Sequence, residues 1–136
     1  MEITRAADFL RNHHRAVLAT LRADGLPQLS PVVVAVDDQS RALISTRETA
    51  IKARNLARDP RASLCVMNDR FFGEWIQAEG TAELVRQPEA LDLLVDYYRR
   101  ISGEHPDWDE YRDAMRRERR LIVRISLTRA GPDRSG

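Results

Sequence analysis

Short runs rich in Val, Ile, Leu and Ala, bounded by Asp, Gly, Pro and Asn, recur six times along the 136-residue chain. They predict strands at 16–22, 27–36, 41–46, 62–67, 74–85 and 121–127. Asp24-Gly25 reads as a tight hairpin between the first two, because these residues tolerate the positive φ such turns demand. A second turn at 37–40 makes the first half an antiparallel meander. Between strands the apolar spacing shifts to a helical period. Thr4 is placed to cap a short helix ending near Asn12. Thr49 is placed to cap another that must stop at Asp59-Pro60, since proline disfavours helical geometry in the residue before it. Leu91, Leu94, Val95, Tyr98 and Ile101 share one face of a third helix that has Pro88 in its first turn and Ser102-Gly103 at its end. Asp107 and Glu110 suit the start of a fourth, running to about Arg117. Inside the fifth strand, Glu79-Gly80 predicts a bulge or a close backbone approach. Six strands with helices confined to the connections predict an α+β, mainly β, antiparallel barrel, whose closure hides edges otherwise free to pair with other chains. Residues 128–136 read as a flexible tail.

Composition excludes more than it names. The length suits a single domain over residues 1–136. Its 22 basic and 21 acidic side chains nearly cancel, so no general basic field is present for nucleic acid and any anion site must be local. Arg116, Arg117, Arg119 and Arg120 form a short basic cluster, but Glu118 interrupts it and no aromatics interleave, which suits a solvated helix end. The one cysteine, Cys65, lies in an apolar strand and reads as a buried packing residue in a reducing compartment. No apolar leader and no membrane-length apolar run are visible, so a cytoplasmic, membrane-free protein is expected. Metal binding is not expected: His13 and His14 are adjacent and cannot share a helix face, and His105 sits among acids that better serve as helix caps.

Of the 22 basic side chains, Lys52 is the only lysine. Lysine offers phosphate a compact, mobile point charge where arginine offers a planar fork. Lys52 also falls in the first turn of a helix that follows a strand, where backbone N–H groups are free to face an anion. Around it, Ser45 and Thr46 supply hydroxyls, Arg47 supplies charge, and Ala50 and Ile51 supply N–H groups, which together describe a phosphate pocket. An ordinary surface lysine fits the composition equally well. Arg54, Arg58 and Arg61 continue the positive charge and could hold a polyanionic tail, although a solvated helix face paired with Glu48 and Asp59 is, taken alone, the stronger reading. Trp75 could wall a flat ring, against the commoner fate of core packing. Gln28 and Ser30 fall on the same side of their strand and could address a ring edge, or could simply face solvent.

The order of elements, with the segments 19–30, 52–63, 78–82 and 101–111, resembles the pyridoxamine 5′-phosphate oxidase-like split β-barrel superfamily. The narrower likeness is to its probable coenzyme F420-dependent oxidoreductases. Arg-Asn-Leu-Ala-Arg-Asp-Pro-Arg at 54–61 is characteristic of the superfamily, and Gly-Glu-His-Pro-Asp-Trp-Asp at 103–109 points more narrowly. The resemblance implies a six-stranded Greek-key split barrel and a homodimer with cofactor sites at the interface. It implies that Lys52 binds the cofactor phosphate, with Ser45 and Thr46 beside it, Gln28, Leu29 and Ser30 along the ring, and Trp75 near the pocket. Reduced F420 would then pass hydride to a small-molecule acceptor such as a quinone, an enone or a tetrapyrrole-like system. An FMN-binding flavin reductase or oxidase and a noncatalytic F420 carrier are the alternatives. Two departures stand out. Ala50 occupies a position where relatives that bind F420 can carry an arginine, which leaves Arg47 or Arg54 to substitute, and residues 128–136 lack the aromatic ending of some relatives.

Overall fold

The computed structural model describes residues 1–132. Its elements are α1 (Ile3–Asn12), β1 (Arg15–Leu21), β2 (Pro27–Val33), β3 (Ala35–Val36), β4 (Arg41–Arg47), α2 (Ile51–Arg58), β5 (Arg61–Met67), β6 (Trp75–Val85), α3 (Ala90–Ser102), α4 (Trp108–Arg117) and β7 (Arg120–Gly131). The strands form one antiparallel sheet in the order β2-β1-β5-β6-β7-β4-β3, which curls as a split barrel. Along β1 and β5 the even-numbered residues turn inward, so Ala16, Leu18, Ala62, Leu64 and Val66 meet Ile44, Val123 and Ile125 in the barrel core. α1 and α2 add Leu10, Ala53 and Leu56 to that core.

The sheet has seven strands where the sequence predicts six, because one predicted strand is two. Residues 27–36 break at Val34, a fully buried residue whose N–H and C=O both turn to His14. There the chain leaves one edge of the sheet as β2 and re-enters at the opposite edge as β3. The split-barrel class stands; the strand count is corrected.

The two halves of the sheet's outer surface differ. Across β3, β4 and β7, Ala35, Leu43 and Ile122 are covered by Leu94, Val95 and Tyr111 of α3 and α4, which form a second core. Across β2, β1, β5 and β6 the outward rows are bare. Leu29, Val33 and Trp75 are 61%, 46% and 42% exposed. The core placement considered for Trp75 therefore does not hold, and Cys65, on the same outward face, is half-buried instead of buried. Burial nevertheless pushes its thiol up from the usual value.

Other boundaries move for local reasons. α1 starts at Ile3 with Glu2 as its N-cap, which places Thr4 inside the helix. Thr49 lies in the turn closed by the Ala50 N–H on Arg47 O, so α2 begins at Ile51 with Ala50 as an N-cap that provides no side-chain bond. Asp107 does cap α4, accepting the Glu110 N–H at 3.1 Å. The bulge falls where the sequence places it: register slips between Glu79 and Gly80, and a Cβ on Gly80 would lie 2.0 Å from Ser126 O. β7 continues through Gly131 because Arg129, Ala130 and Gly131 pair with β6, so residues 128–131 are strand and not tail. Residues 133–136 of that expected tail lie outside the described residues.

Candidate functional site

A cleft of about 640 Å³ opens where the end of β4, the first turn of α2, the end of β2 and the faces of α3 and α4 converge. At one end lie Ser45, Thr46 and Lys52. Lys52 is half-buried and, among the described residues, makes no ion pair or hydrogen bond. The hydroxyls of Ser45 and Thr46 are likewise without hydrogen-bond partners. Because no side chain caps α2, the Ile51 and Lys52 N–H groups have no acceptor either; the Ala50 N–H, in contrast, is taken by Arg47 O. A cation, two hydroxyls and two amides without partners are the donor set a phosphate group needs, since its oxygens only accept.

The remaining cations of the expected site are committed elsewhere or exposed. Arg47 pairs with Glu118 at 3.2 Å. Arg58 donates to Leu21 O and to Asn55 Oδ1, and Arg61 pairs with Asp59, holding that carboxyl down to about 2. Among the described residues Arg54, alone of the three-arginine stripe, is exposed and without a partner. The solvated, locally paired reading of that stripe fits Arg61, while Arg58 is a structural clamp between α2 and β1.

Gln28, Leu29 and Ser30 are not part of the cleft within one chain; the β2 residues that reach it are Pro31, Val32 and Val33. Gln28 Oε1 accepts from the Thr20 hydroxyl at 3.5 Å, and that hydroxyl accepts in turn from the buried Asn55 amide. Leu29 faces outward beside Val17 and Cys65. Ser30 Oγ is buried without a hydrogen-bond partner. Trp75 stands on the bare sheet face beside Gln77 and Arg129, and Ile51 is exposed.

The other end of the cleft is aromatic and was not singled out by sequence reasoning. Tyr97, Tyr98, Tyr111 and Met115 line it. Tyr97 donates to Val33 O and Tyr111 to Leu94 O, each at 2.8 Å. Burial pushes the Tyr97 phenol up, against the opposing Ser45 N–H and Arg120 charge, and pushes that of Tyr111 up to about 12, so both stay neutral donors. Tyr98 packs edge-on against His105, Trp108 and Tyr111. The helical period that marked Tyr98 as apolar was the available signal; it identified the face without revealing the cleft. Residues 103–109 supply this cluster: Trp108 Nε1 donates to Glu104, which also accepts from Arg99, and His105 Nδ1 accepts the Asp107 N–H. Among the described residues no group of His, Cys, Asp and Glu could hold a metal, and no helix is long and apolar enough to cross a membrane.

Comparison with known proteins gives this site a setting. A conserved hypothetical protein from Mycobacterium tuberculosis superposes with a TM-score of 0.78 at 33% identity, over 96% of this chain and 82% of that one. An F420 reductase superposes with a TM-score of 0.71 at 20% identity, over 91% and 94% of the two chains. The heme storage protein of Vibrio cholerae gives 0.71 at 17% identity, over 96% and 94%. The last two likenesses are of fold alone. The sequence profile of pyridoxamine 5′-phosphate oxidase matches residues 4–131, and the chain therefore belongs to the pyridoxamine 5′-phosphate oxidase family of split barrels.

Proposed function

We propose that the protein is an oxidoreductase that binds coenzyme F420 in this cleft, as a homodimer, and transfers hydride to a conjugated acceptor such as a quinone, an enone or a tetrapyrrole-like ring. The observation that carries the reading is the set of unpartnered donors at one end of the cleft: Lys52, Ser45, Thr46 and the N–H groups of Ile51 and Lys52. These groups would hold the cofactor phosphate, Lys52 as the charge and the helix start as the oriented amides. When bound, reduced F420 supplies the hydride from its deazaflavin ring. The chain's own part is to bind, to orient and to exclude water, and no side chain is assigned a proton in this reading.

F420 is preferred because of the resemblance carried by residues 101–111 and because Arg54, exposed near Lys52 on α2, can meet an anionic tail that continues past the phosphate. The commitment of Arg58 and Arg61 to local partners favours the shorter FMN as the second reading. The homodimer is supported by the bare half of the sheet, where Leu29, Val33 and Trp75 present apolar surface that a second copy would cover. Gln28, Leu29, Ser30 and Trp75 do not line the cleft of their own chain, so the ring contacts implied by the resemblance would have to be made across that interface.

Titrating the purified protein with F420 and with FMN tests the proposal. Saturable F420 binding, with FMN weaker, is expected, and tight FMN binding with none for F420 would overturn the assignment. Stopped-flow oxidation of the bound reduced cofactor by quinones and enones distinguishes an enzyme from a carrier.

A further inference from the structure

An ion-pair cluster borders the cleft where the end of β4 runs beside the start of β7. Arg47 and Arg120 are cross-strand partners, and Arg47 lies two residues beyond Ser45, so strand alternation puts Ser45, Arg47 and Arg120 on one face of the sheet. Ser45 and Arg120 line the cleft. Arg47 is thus at its edge, yet its guanidinium is turned to Glu118. That carboxylate holds two arginines through one oxygen: Glu118 Oε1 accepts from Arg120 Nε and Nη2 at 3.1 and 2.9 Å and from Arg47 Nη2 at 3.2 Å. The acid beside Arg47 in its own turn, Glu48, is taken by Arg119 at 3.2 Å.

The two arginines are held unequally. Arg120 gives Glu118 two hydrogen bonds and its side chain is 28% exposed, whereas Arg47 gives one, the longest of the three, and is 57% exposed. An exposed pair of that kind contributes little to the fold, and releasing Arg47 leaves Glu118 still paired with Arg120. A phosphate at Lys52 offers the guanidinium several oxygens that only accept. We infer that Glu118 is a latch on the anion site: it holds Arg47 in reserve at the edge of the cleft, and a bound phosphate draws Arg47 away from it. The inference rests on the proposed phosphate site at Lys52 and deepens it by assigning its regulation. Glu118 is a positioning residue that acts through Arg47 to set anion affinity, and Arg47 becomes the second cation that Ala50 does not provide. A guanidinium–phosphate hydrogen bond strengthens binding about tenfold, and breaking the exposed pair with Glu118 takes back about threefold of that, which leaves Arg47 a net contribution of about threefold.

The test uses inorganic phosphate as the probe, titrated by phosphorus NMR at constant ionic strength into wild type, Arg47→Ala, Glu118→Gln, the double variant and Lys52→Ala. Glutamine at 118 keeps an oxygen for Arg120 and removes the charge that retains Arg47. Glu118→Gln is expected to bind phosphate about threefold more tightly and Arg47→Ala about threefold more weakly. The double variant should match Arg47→Ala, because the effect of Glu118 passes through Arg47. In wild type the side-chain nitrogen resonance of Arg47 should shift with the same phosphate midpoint. A gain from Glu118→Gln that persists in the Arg47→Ala background would reduce Glu118 to a general field of charge and overturn the latch. So would equal affinity in wild type and Glu118→Gln, a stationary Arg47 resonance, no saturable phosphate binding by wild type, or phosphate binding undiminished in Lys52→Ala. Titrating wild type with F420 keeps the two readings apart. Failure to bind F420 would sink the cofactor assignment and leave the phosphate measurements standing, whereas saturable F420 binding without coupling between Arg47 and Glu118 would sink the latch alone.

Discussion

At the α2 end of the cleft, Lys52, the hydroxyls of Ser45 and Thr46 and two backbone N–H groups stand without partners; at the α3–α4 end, Tyr97, Tyr111, Trp108, His105 and Glu104 all have theirs. Folding normally pairs polar groups it removes from water, since an orphaned one costs on the order of 1–3 kcal/mol. Among the described residues the aromatic end follows that rule, the Tyr98 hydroxyl excepted, and supplies stability. The α2 end instead gathers five unused donors that are open to the cleft and not sealed in the core, and that concentration supports the proposal that a ligand binds there.

Substitutions can separate the two ends. The largest expected effect is Tyr111→Ala, which removes a buried ring from the second core.

 The Leu94 carbonyl loses its donor in this variant. A loss of about 3 kcal/mol in urea denaturation is predicted, the usual cost of truncating a buried aromatic. Lys52→Ala comes next and acts on the other quantity. Cofactor affinity should fall by about 1.5–3 kcal/mol, the range for a hydrogen bond to a charged group, while stability stays within about 0.5 kcal/mol because no partner in the fold is lost. If Lys52→Ala unfolds the protein, or Tyr111→Ala leaves it as stable as wild type, the contrast between the two ends fails.

Ala50→Arg sharpens the comparison further. Ala50 is an N-cap without a side-chain bond, so an arginine there adds charge to the donor set without displacing anything. A gain of about 1 kcal/mol in cofactor affinity is expected by isothermal titration. The smallest effect is a pH dependence. Burial raises the folded-state pKa of Tyr111 from its ordinary value of 10 to about 12. The stabilisation tied to its neutral phenol is therefore complete below about pH 10 and is lost as pH rises through about 12. Tyr111→Phe should flatten the alkaline limb of the stability curve in that window and leave the neutral limb parallel to wild type.

Much of the fold was legible because it is set by local pattern. Alternation gave the strands, Asp24-Gly25 the hairpin, and Gly80 the bulge, whose steric cause is Ser126 O. The break at Val34 was not legible, since it depends on His14 and on the closure of one sheet edge against the other, and nothing in a valine-rich run announces it. The cap of α2 was misplaced for a similar reason: the turn from β4 takes up Thr49 before the helix begins. At the site, the sequence brought Ser45, Thr46 and Lys52 together because they are close along the chain. It missed the tyrosines because Tyr97, Tyr98 and Tyr111 arrive from helices far along the chain, and helical spacing reports which face is apolar, not what that face borders.

The most direct test compares two ligands, F420 and a deazaflavin truncated before its phosphate, in wild type and Lys52→Ala by isothermal titration. The account predicts that wild type binds the intact cofactor much more tightly than the truncated one, and that the gap narrows in Lys52→Ala because only the phosphate interaction has been removed. An equal gap in the two proteins would show that Lys52 does not hold the phosphate, and would contradict the central claim.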